Sequence, residues 1–347
     1  MQKDNRQNMV NVSGRERVSA TLRFQDPGAI PLDIWCLGTA QLKYGDSLKK
    51  LLDGHETDFG RLRCPLDRGF FGEYGKVGYY KDLWGSTWKM LVAGITGEVV
   101  DPAVADIERA TEFRPPYKQL EQGWLDDRQN IAENAKKLRN RGKFIIGGTV
   151  EVFQRMQWVR GSENLYCDLG LREPGVFALC EILTDYYMRY LDYWLDMDVD
   201  AIGFTEDWGT QISLLISPAL WREMFRPVYK KLFDKIKSAG KFVFFHSDGY
   251  ILDIMGDLAE LGADAINSQV WCMGVEKVAA ACAGKTTFWG ELDRQYLLPF
   301  GTPDDIYRSA ELMKKLLRVN GGGLIGQGEI GPDVPLENVR AMLECWN

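Results

Sequence analysis

Short apolar runs that stop at ionisable or amide side chains recur along this chain. The sharpest is Lys241-Phe242-Val243-Phe244-Phe245-His246-Ser247-Asp248-Gly249, where an aromatic and β-branched run ends in a histidine, a serine and a carboxylate. Its length and residue types predict a buried strand, entered after a helix stop at Gly240. The same order appears in Phe144-Ile145-Ile146-Gly147-Gly148 before Thr149, Val150 and Glu151, and in Ala201-Ile202-Gly203-Phe204 before Thr205-Glu206-Asp207. It returns in Ala263-Asp264-Ala265-Ile266 before Asn267, Ser268 and Gln269, and in Thr286-Thr287-Phe288-Trp289-Gly290 before Glu291, Leu292 and Asp293. Gly323-Leu324-Ile325-Gly326 then leads to Gln327, Gly328 and Glu329, and Ala29 to Trp35 supplies an earlier strand.

Helical spacing fills the intervals. Gly14 to Phe24 predicts a short helix, broken by Asp26-Pro27-Gly28, and Leu125 to Arg141 another, stopped by Gly142. A long helix is expected after Pro174. Ser217 and Pro218 have the residue types of an N-cap and a first helical position, and Pro227 predicts a kink or a split in the helix that follows. Ile251 to Leu261, the stretch opened by Thr302-Pro303-Asp304-Asp305, and Leu336 to Leu343 complete the set. Residues 36–140 are less regular. Tyr79 to Gly85 and Gly94 to Gly97 suggest strands and turns there.

Strand–helix alternation of this kind builds βα units on a parallel sheet. Six strands between 143 and 329, with the one near Pro31, approach the eight of a (β/α)8 TIM barrel. The expected fold is therefore α/β: one such barrel over residues 1–347 with a short N-terminal helical extension and a poorly ordered tail at 1–13. A doubly wound open sheet competes with it, but no glycine-rich phosphate fingerprint follows the first strand. In a barrel, the C-terminal strand ends form the active site.

The chain has 347 residues, 45% hydrophobic and 26% charged, with a net charge of −7 and no Lys/Arg block. That composition argues against a dedicated nucleic-acid protein. Seven cysteines with no C-x-x-C pair predict reduced thiols. No apolar run approaches the roughly 20 residues of a membrane span, so a soluble, cytoplasmic protein is expected. Of the two histidines, His55 lies in a polar stretch, whereas His246 ends a buried run. His246 is either a metal ligand or general acid, or a hydrogen-bonded core imidazole. Trp35, Trp84, Trp88, Trp158 and Trp208 either line a pocket or belong to the core.

Several segments together resemble the uroporphyrinogen decarboxylase superfamily. They are Arg15-Glu16-Arg17-Val18 with Ile30-Pro31-Leu32-Asp33, Asp82-Leu83-Trp84-Gly85 with Gly97-Glu98-Val99, and Glu206-Asp207-Trp208-Gly209-Thr210-Gln211 with Ile216-Ser217-Pro218. Phe245-His246-Ser247-Asp248-Gly249, Leu297 to Pro303 and Pro332 to Asn338 extend the likeness over nearly the whole chain. The resemblance implies a (β/α)8 barrel and one of two activities. Decarboxylases of the superfamily hold substrate carboxylates with an N-terminal Arg-Gln-Ala-Gly-Arg motif, but Trp35-Cys36-Leu37-Gly38-Thr39-Ala40 has no arginine. Their catalytic aspartate falls near Asp82. Their tyrosine falls near Met156 or Gln157, and their histidine near Gln327 or Gly328, so both are missing. Corrinoid-linked methyltransferases hold zinc with His-x-Cys and a distant cysteine. His246 matches the histidine, Asp248 replaces the first cysteine, and the second falls near Gly328, beside Glu329.

On that basis the expected function is methyl transfer between a small methylated substrate, such as an aryl methyl ether, and a corrinoid supplied by a partner protein. A metal or general acid at the barrel mouth would activate the substrate. Zinc would lie on His246, Asp248, Glu291 and Glu329. His246, Asp207, Glu206 and Asp82 are the catalytic candidates, and Glu151, Gln269, Trp208 and Gln327 the substrate-binding ones. A homodimer is among the expected assemblies. The alternatives are decarboxylation of a tetrapyrrole or other carboxylated substrate, and a small-ligand-binding barrel without turnover.

Overall fold

The computed structural model describes residues 12–63, 76–92 and 97–347. Its strands, in chain order, are β1 (Leu32–Cys36), β2 (Phe59–Leu62), β3 (Gly78–Lys81), β4 (Thr87–Met90), β5 (Glu98–Asp101), β6 (Phe144–Val150), β7 (Ala201–Thr205), β8 (Phe242–Ser247), β9 (Ala265–Ser268), β10 (Thr287–Trp289) and β11 (Leu324–Ile330). Eight of them form one parallel sheet in the order β1-β11-β10-β9-β8-β7-β6-β2. The end strands β1 and β2 return to each other. The Asp58 N–H donates to the Leu32 carbonyl (2.9 Å), the Leu32 N–H donates to Asp58 Oδ2 (2.8 Å), and Arg61 grips Asp33 with two bonds of 3.0 and 2.5 Å. The sheet is thus a nearly closed barrel, with its seam fastened by side chains.

Side chains alternate across a strand, and the alternation divides the interior into a floor and a mouth. Phe59, Phe144, Ile146, Ala201, Phe244, Ala265, Trp289 and Ile325 pack inside the barrel with Val18 and Leu22. Those last two come from the helix Gly14–Leu22, the predicted N-terminal extension. A Ser13/Glu16 capping box opens this helix, and Arg15–Asp200 and Arg17–Asp58 ion pairs tie it to residues just before β7 and β2. The helix plugs the N-terminal end of the barrel. The opposite strand faces meet the surrounding helices, including Tyr117–Asn140, Pro174–Leu195 and Pro218–Ser238, in the larger cluster.

Each strand anticipated from the apolar runs is present. The helix Pro218–Ser238 has Ser217 as its N-cap and Pro218 in its first turn, and it continues through Pro227 without splitting. Pro227 lies on the exposed face, where water can satisfy the carbonyl left without its N–H donor. The main departures lie in residues 36–140. They hold the helix Gly38–Leu52, the strand β2 that completes the eight, and a separate antiparallel sheet β3-β4-β5. Met1 to Asn11, and Gly94 to Thr96 of the expected glycine-rich turn, lie outside the described residues. No described helix is long and apolar enough to cross a membrane.

Candidate functional site

Strand register sets the site. His246 on β8 stands beside Thr205 of β7 and Asn267 of β9. The floor residue Phe244 lies two positions earlier on the same face, so His246 points inward one layer nearer the mouth. Its Nδ1 lies 2.5 Å from Asn267 Oδ1. Asn267 is itself oriented, because its Nδ2 donates to the Trp289 carbonyl at 2.5 Å. The amide oxygen therefore faces the imidazole, and Nδ1 must carry the proton. In the neutral ring this leaves the Nε2 lone pair free, the tautomer that a metal or a second proton requires.

Nε2 faces two carboxylates, with Asp207 Oδ1 and Asp248 Oδ1 each 3.7 Å away. Two glycines make the arrangement possible. Gly249 has φ +77, and a Cβ there would stand 2.2 Å from the Gly209 carbonyl oxygen; a Cβ on Gly209 would stand 2.4 Å from the Tyr250 nitrogen. The loops after β7 and β8 thus meet backbone to backbone, joined by Gly209 N–H to the Asp248 carbonyl (3.2 Å) and Tyr250 N–H to the Thr210 carbonyl (2.7 Å). Asp207 Oδ1 accepts the Asp248 N–H at 3.1 Å. Asp248 Oδ1 is buried with no hydrogen-bond partner. One ligand atom from each of Asp207, His246 and Asp248 lies within 4.8 Å of the others, a group able to hold a metal ion.

Arg294 arranges the remaining acids. It holds Asp248 Oδ2 at 2.5 Å, Glu329 Oε1 at 2.9 Å and Glu291 Oε1 at 3.5 Å. Burial opposes the guanidinium charge, but Glu291, Asp248 and Glu329 outweigh it and keep Arg294 protonated. Burial pushes Glu291 up to about 8, against the pull of Arg294 and with Asp248 and Glu329 adding to the rise. Burial also raises Asp207; His246 pulls it down, and the neighbouring Asp248 pushes it up. Asp207, Asp248, Glu291 and Glu329 thus gather around one guanidinium and the imidazole.

A cavity of about 420 Å³ opens beside the imidazole. Its lining includes Trp35, Arg61, Thr149, Thr205, Trp289 and Glu329. Asp33 anchors the far wall. Beyond its two bonds to Arg61, Asp33 Oδ2 accepts Nε1–H from both Trp35 and Trp289 at 2.9 Å. A smaller cavity of about 110 Å³ is lined by Arg294, Gln211, Gln269, Glu291 and their neighbours.

The structure gathers His246, Asp207, Asp248, Glu291 and Glu329 at one mouth, with Gln269 in the adjoining small cavity. Glu291 and Glu329 turn to Arg294, whereas Asp207 joins His246 and Asp248. The other predicted residues have different partners. Glu206 is fully buried and accepts N–H bonds from Val152 (2.7 Å), Phe153 (3.3 Å) and Gln154 (2.9 Å), so it caps the helix Val152–Arg160; burial lifts it to about 8 against those donors. Trp208 is fully buried, stacked 3.8 Å from Phe153. Gln327 is buried beside Asn267, 3.5 Å away. Glu151 pairs with Arg155 at 2.9 Å.

Asp82 is spent on a turn. Its Oδ1 accepts the Trp84 and Ser86 N–H groups (2.9 and 2.8 Å), and its Oδ2 accepts Trp88 Nε1–H (2.8 Å). The sequence reading missed Arg61 and Arg294. Arg294 follows Glu291 and Asp293 at a strand end, and a cation beside those acids was the available signal.

No curated protein matches the chain in sequence. Among solved structures, a methyltransferase from Methanosarcina mazei is similar over 96% of this chain and 98% of its own, at 16% identity and a TM-score of 0.70. A dihydropteroate synthase from Xanthomonas albilineans is similar over 52% of this chain and 58% of its own, at 12% identity and a TM-score of 0.31. The family model described as uroporphyrinogen decarboxylase (URO-D) matches residues 102–347, which include β6 to β11 and with them His246, Asp207, Asp248 and Arg294. The chain belongs to the uroporphyrinogen decarboxylase family.

Proposed function

We propose that this chain is a methyltransferase that moves a methyl group from a small methylated substrate, such as an aryl methyl ether, to the reduced corrinoid of a partner protein. The observation that carries the reading is the bare Nε2 of His246, held between Asp207 and the unpartnered Asp248 Oδ1 at the edge of a cavity. Methyl transfer breaks the bond from carbon to the heteroatom, and the bonding pair stays on the heteroatom. The acceptor's electron pair forms the new bond to carbon. A positive centre must therefore meet the heteroatom as the old bond breaks.

The donor set suits zinc. Bonds of roughly 2.0–2.2 Å to nitrogen and oxygen allow one ion to reach two atoms 3.7 Å apart, and three protein ligands leave a position open. When bound there, zinc would supply a Lewis acid beside the cavity. The chain's own groups do the rest. Asn267 keeps the Nδ1 proton in place, Arg294 holds Asp248 by its other oxygen, and the Gly209–Gly249 contact sets the two loops. A proton on Nε2 would make His246 the general acid in the same place.

The 16%-identical Methanosarcina mazei methyltransferase is a further support for the activity, and the corrinoid partner follows from the resemblance. Decarboxylation of a tetrapyrrole fits less well. Asp82 has its carboxylate committed to a turn, and Asp33 already occupies the Arg61 fork.

The test incubates zinc-loaded protein with methoxylated and N-methylated compounds and a reduced corrinoid protein, and follows methylcobalt formation by absorbance. Methylcobalt formation that disappears in His246→Ala is the expected result. No methylcobalt from any donor, or full activity in His246→Ala, would overturn the proposal.

A further inference from the structure

One wall of the cavity of about 420 Å³ carries hydroxyls that the protein does not itself use. Thr149 of β6 and Thr205 of β7 line it, both half-buried. Among the described residues neither hydroxyl has a hydrogen-bond partner. Two threonines at the opposite end of the barrel differ. Thr57, just before β2, donates to the Leu32 carbonyl at 2.9 Å, and Thr286, just before β10, donates to the Ala263 carbonyl at 2.8 Å.

The backbone turns both residues to the inner face. Thr205 is level with His246 on the neighbouring parallel strand, so the two Cα atoms stand about 4.8 Å apart and their side chains share that face. Thr149 reaches it through a shift of register. Ile146 pairs with Ala201 at the floor, but Thr149 pairs with Gly203, so β6 takes three steps where β7 takes two. Plain alternation from Ile146 would have turned Thr149 outward to the helices. The extra residue is Gly148, with φ +65, where a Cβ would stand 2.8 Å from the Trp194 ring. The Thr149 N–H donates to the Tyr190 hydroxyl at 2.9 Å and holds the bulge in place. Bulges beside functional sites re-aim side chains in this way.

We infer that Thr205 and Thr149 are further catalytic residues, a pair of hydroxyls that donate to the heteroatom giving up the methyl group. This inference rests on the methyltransferase reading and adds residues to that site. One strand spacing and two residues of rise put the two Cα atoms about 8 Å apart, close enough for both hydroxyls to reach one atom between them. As the carbon–heteroatom bond breaks, its pair stays on the heteroatom, and the acceptor's pair forms the new bond to carbon. Each threonine keeps its proton, and its hydrogen bond strengthens as negative charge grows on the departing atom. The released heteroatom takes its proton from water afterwards. A fixed donor that meets charge as it develops favours the transition state over the bound substrate.

The test has a binding arm and a kinetic arm. Calorimetry on the metal-free protein compares phenol with toluene, two ligands of one shape that differ in the hydroxyl. Wild type should prefer phenol. Thr205→Val and Thr149→Val keep the side-chain shape and remove the hydroxyl, and each should cut that preference about two- to tenfold, as the loss of one hydrogen bond implies. Thr205→Ser and Thr149→Ser should restore it. Urea midpoints of the valine variants should not fall, because neither hydroxyl bonds to the protein; a lowered midpoint would show a structural role and overturn the inference, as would an unchanged preference in either variant. In the kinetic arm, aryl methyl ethers are graded by the acidity of the phenol they release. Thr205→Val should lower kcat most for the least acidic phenols, and a loss uniform across the series would overturn the catalytic assignment. The titration needs no corrinoid. Phenol binding that depends on both threonines, with no methylcobalt from any ether, would overturn the reaction and leave the contacts standing. Methylcobalt formed by Thr205→Val at the wild-type rate would overturn the inference and leave the reaction.

Discussion

Replacing Asn267 with alanine tests the reasoning about the imidazole most directly. The amide makes two contacts of 2.5 Å, one to His246 Nδ1 and one to the Trp289 carbonyl. Alanine leaves a buried N–H and a buried carbonyl without partners. Each such group costs about 1–3 kcal/mol, so Asn267→Ala should lose about 2–6 kcal/mol of folding stability, and less if water enters the space. The ring would also lose the contact that selects its tautomer. Removing such a support weakens a metal ligand by about 10- to 100-fold, and zinc affinity should fall by that factor. The protein has only two histidines, so long-range proton–nitrogen correlation spectra can be assigned with little ambiguity. Metal-free wild type should show one imidazole with its proton on Nδ1 and a bare Nε2, and Asn267→Ala should show a mixture of tautomers. A wild-type His246 protonated only on Nε2 would refute the argument, as would a variant that binds zinc as tightly as wild type.

Two further outcomes follow from the buried carboxylates. Glu291 is raised to about 8 by burial, from an ordinary value of 4.5; the native state therefore holds its proton more tightly than the unfolded chain, and this group makes stability fall as pH rises from 4.5 to 8. Glu291→Gln, which mimics the protonated acid, should flatten that fall in urea-midpoint measurements across the range, and an unchanged slope would count against the buried acid as its source. Asp82→Ala strands three donors and should lower stability by about 2–4 kcal/mol, while zinc affinity stays within about threefold of wild type, since Asp82 is not among the ligands; a loss of zinc binding in the folded variant would return Asp82 to the site.

The barrel was legible because its strands are apolar runs ending in polar groups, a pattern that packing alone does not demand. β2 escaped for the opposite reason. Phe59-Gly60-Arg61-Leu62 is four residues long, and its arginine stays exposed at the barrel mouth, held by Asp33 from β1 and close to two indoles. Only the closed barrel brings those partners together, so no local pattern announces the strand. Arg294 escaped similarly, because its value lies in touching Asp248 and Glu329, each more than 30 positions away.

The strand ends held one more signal. Side chains alternate with period two, and His246 and Asp248 share a parity, as do Thr205 and Asp207. Glu206 and Trp208 have the other parity and point away, one to cap a helix and one to stack on Phe153. Extending the inward parity of Phe244 through His246, and that of Ala201 through Thr205, separates the acids that face the imidazole from those that brace the wall. The same count places Glu291 with Trp289, and Gln327 and Glu329 with Ile325, all on the inner face. Distance from the floor then sorts that face: Gln327 lies one step above Ile325 and is buried, while Glu329, a step higher, reaches Arg294 and lines the cavity. The chemistry of this mouth therefore depends on two coordinates per residue, parity and height, and a list of polar strand ends supplies neither until a floor residue fixes the register.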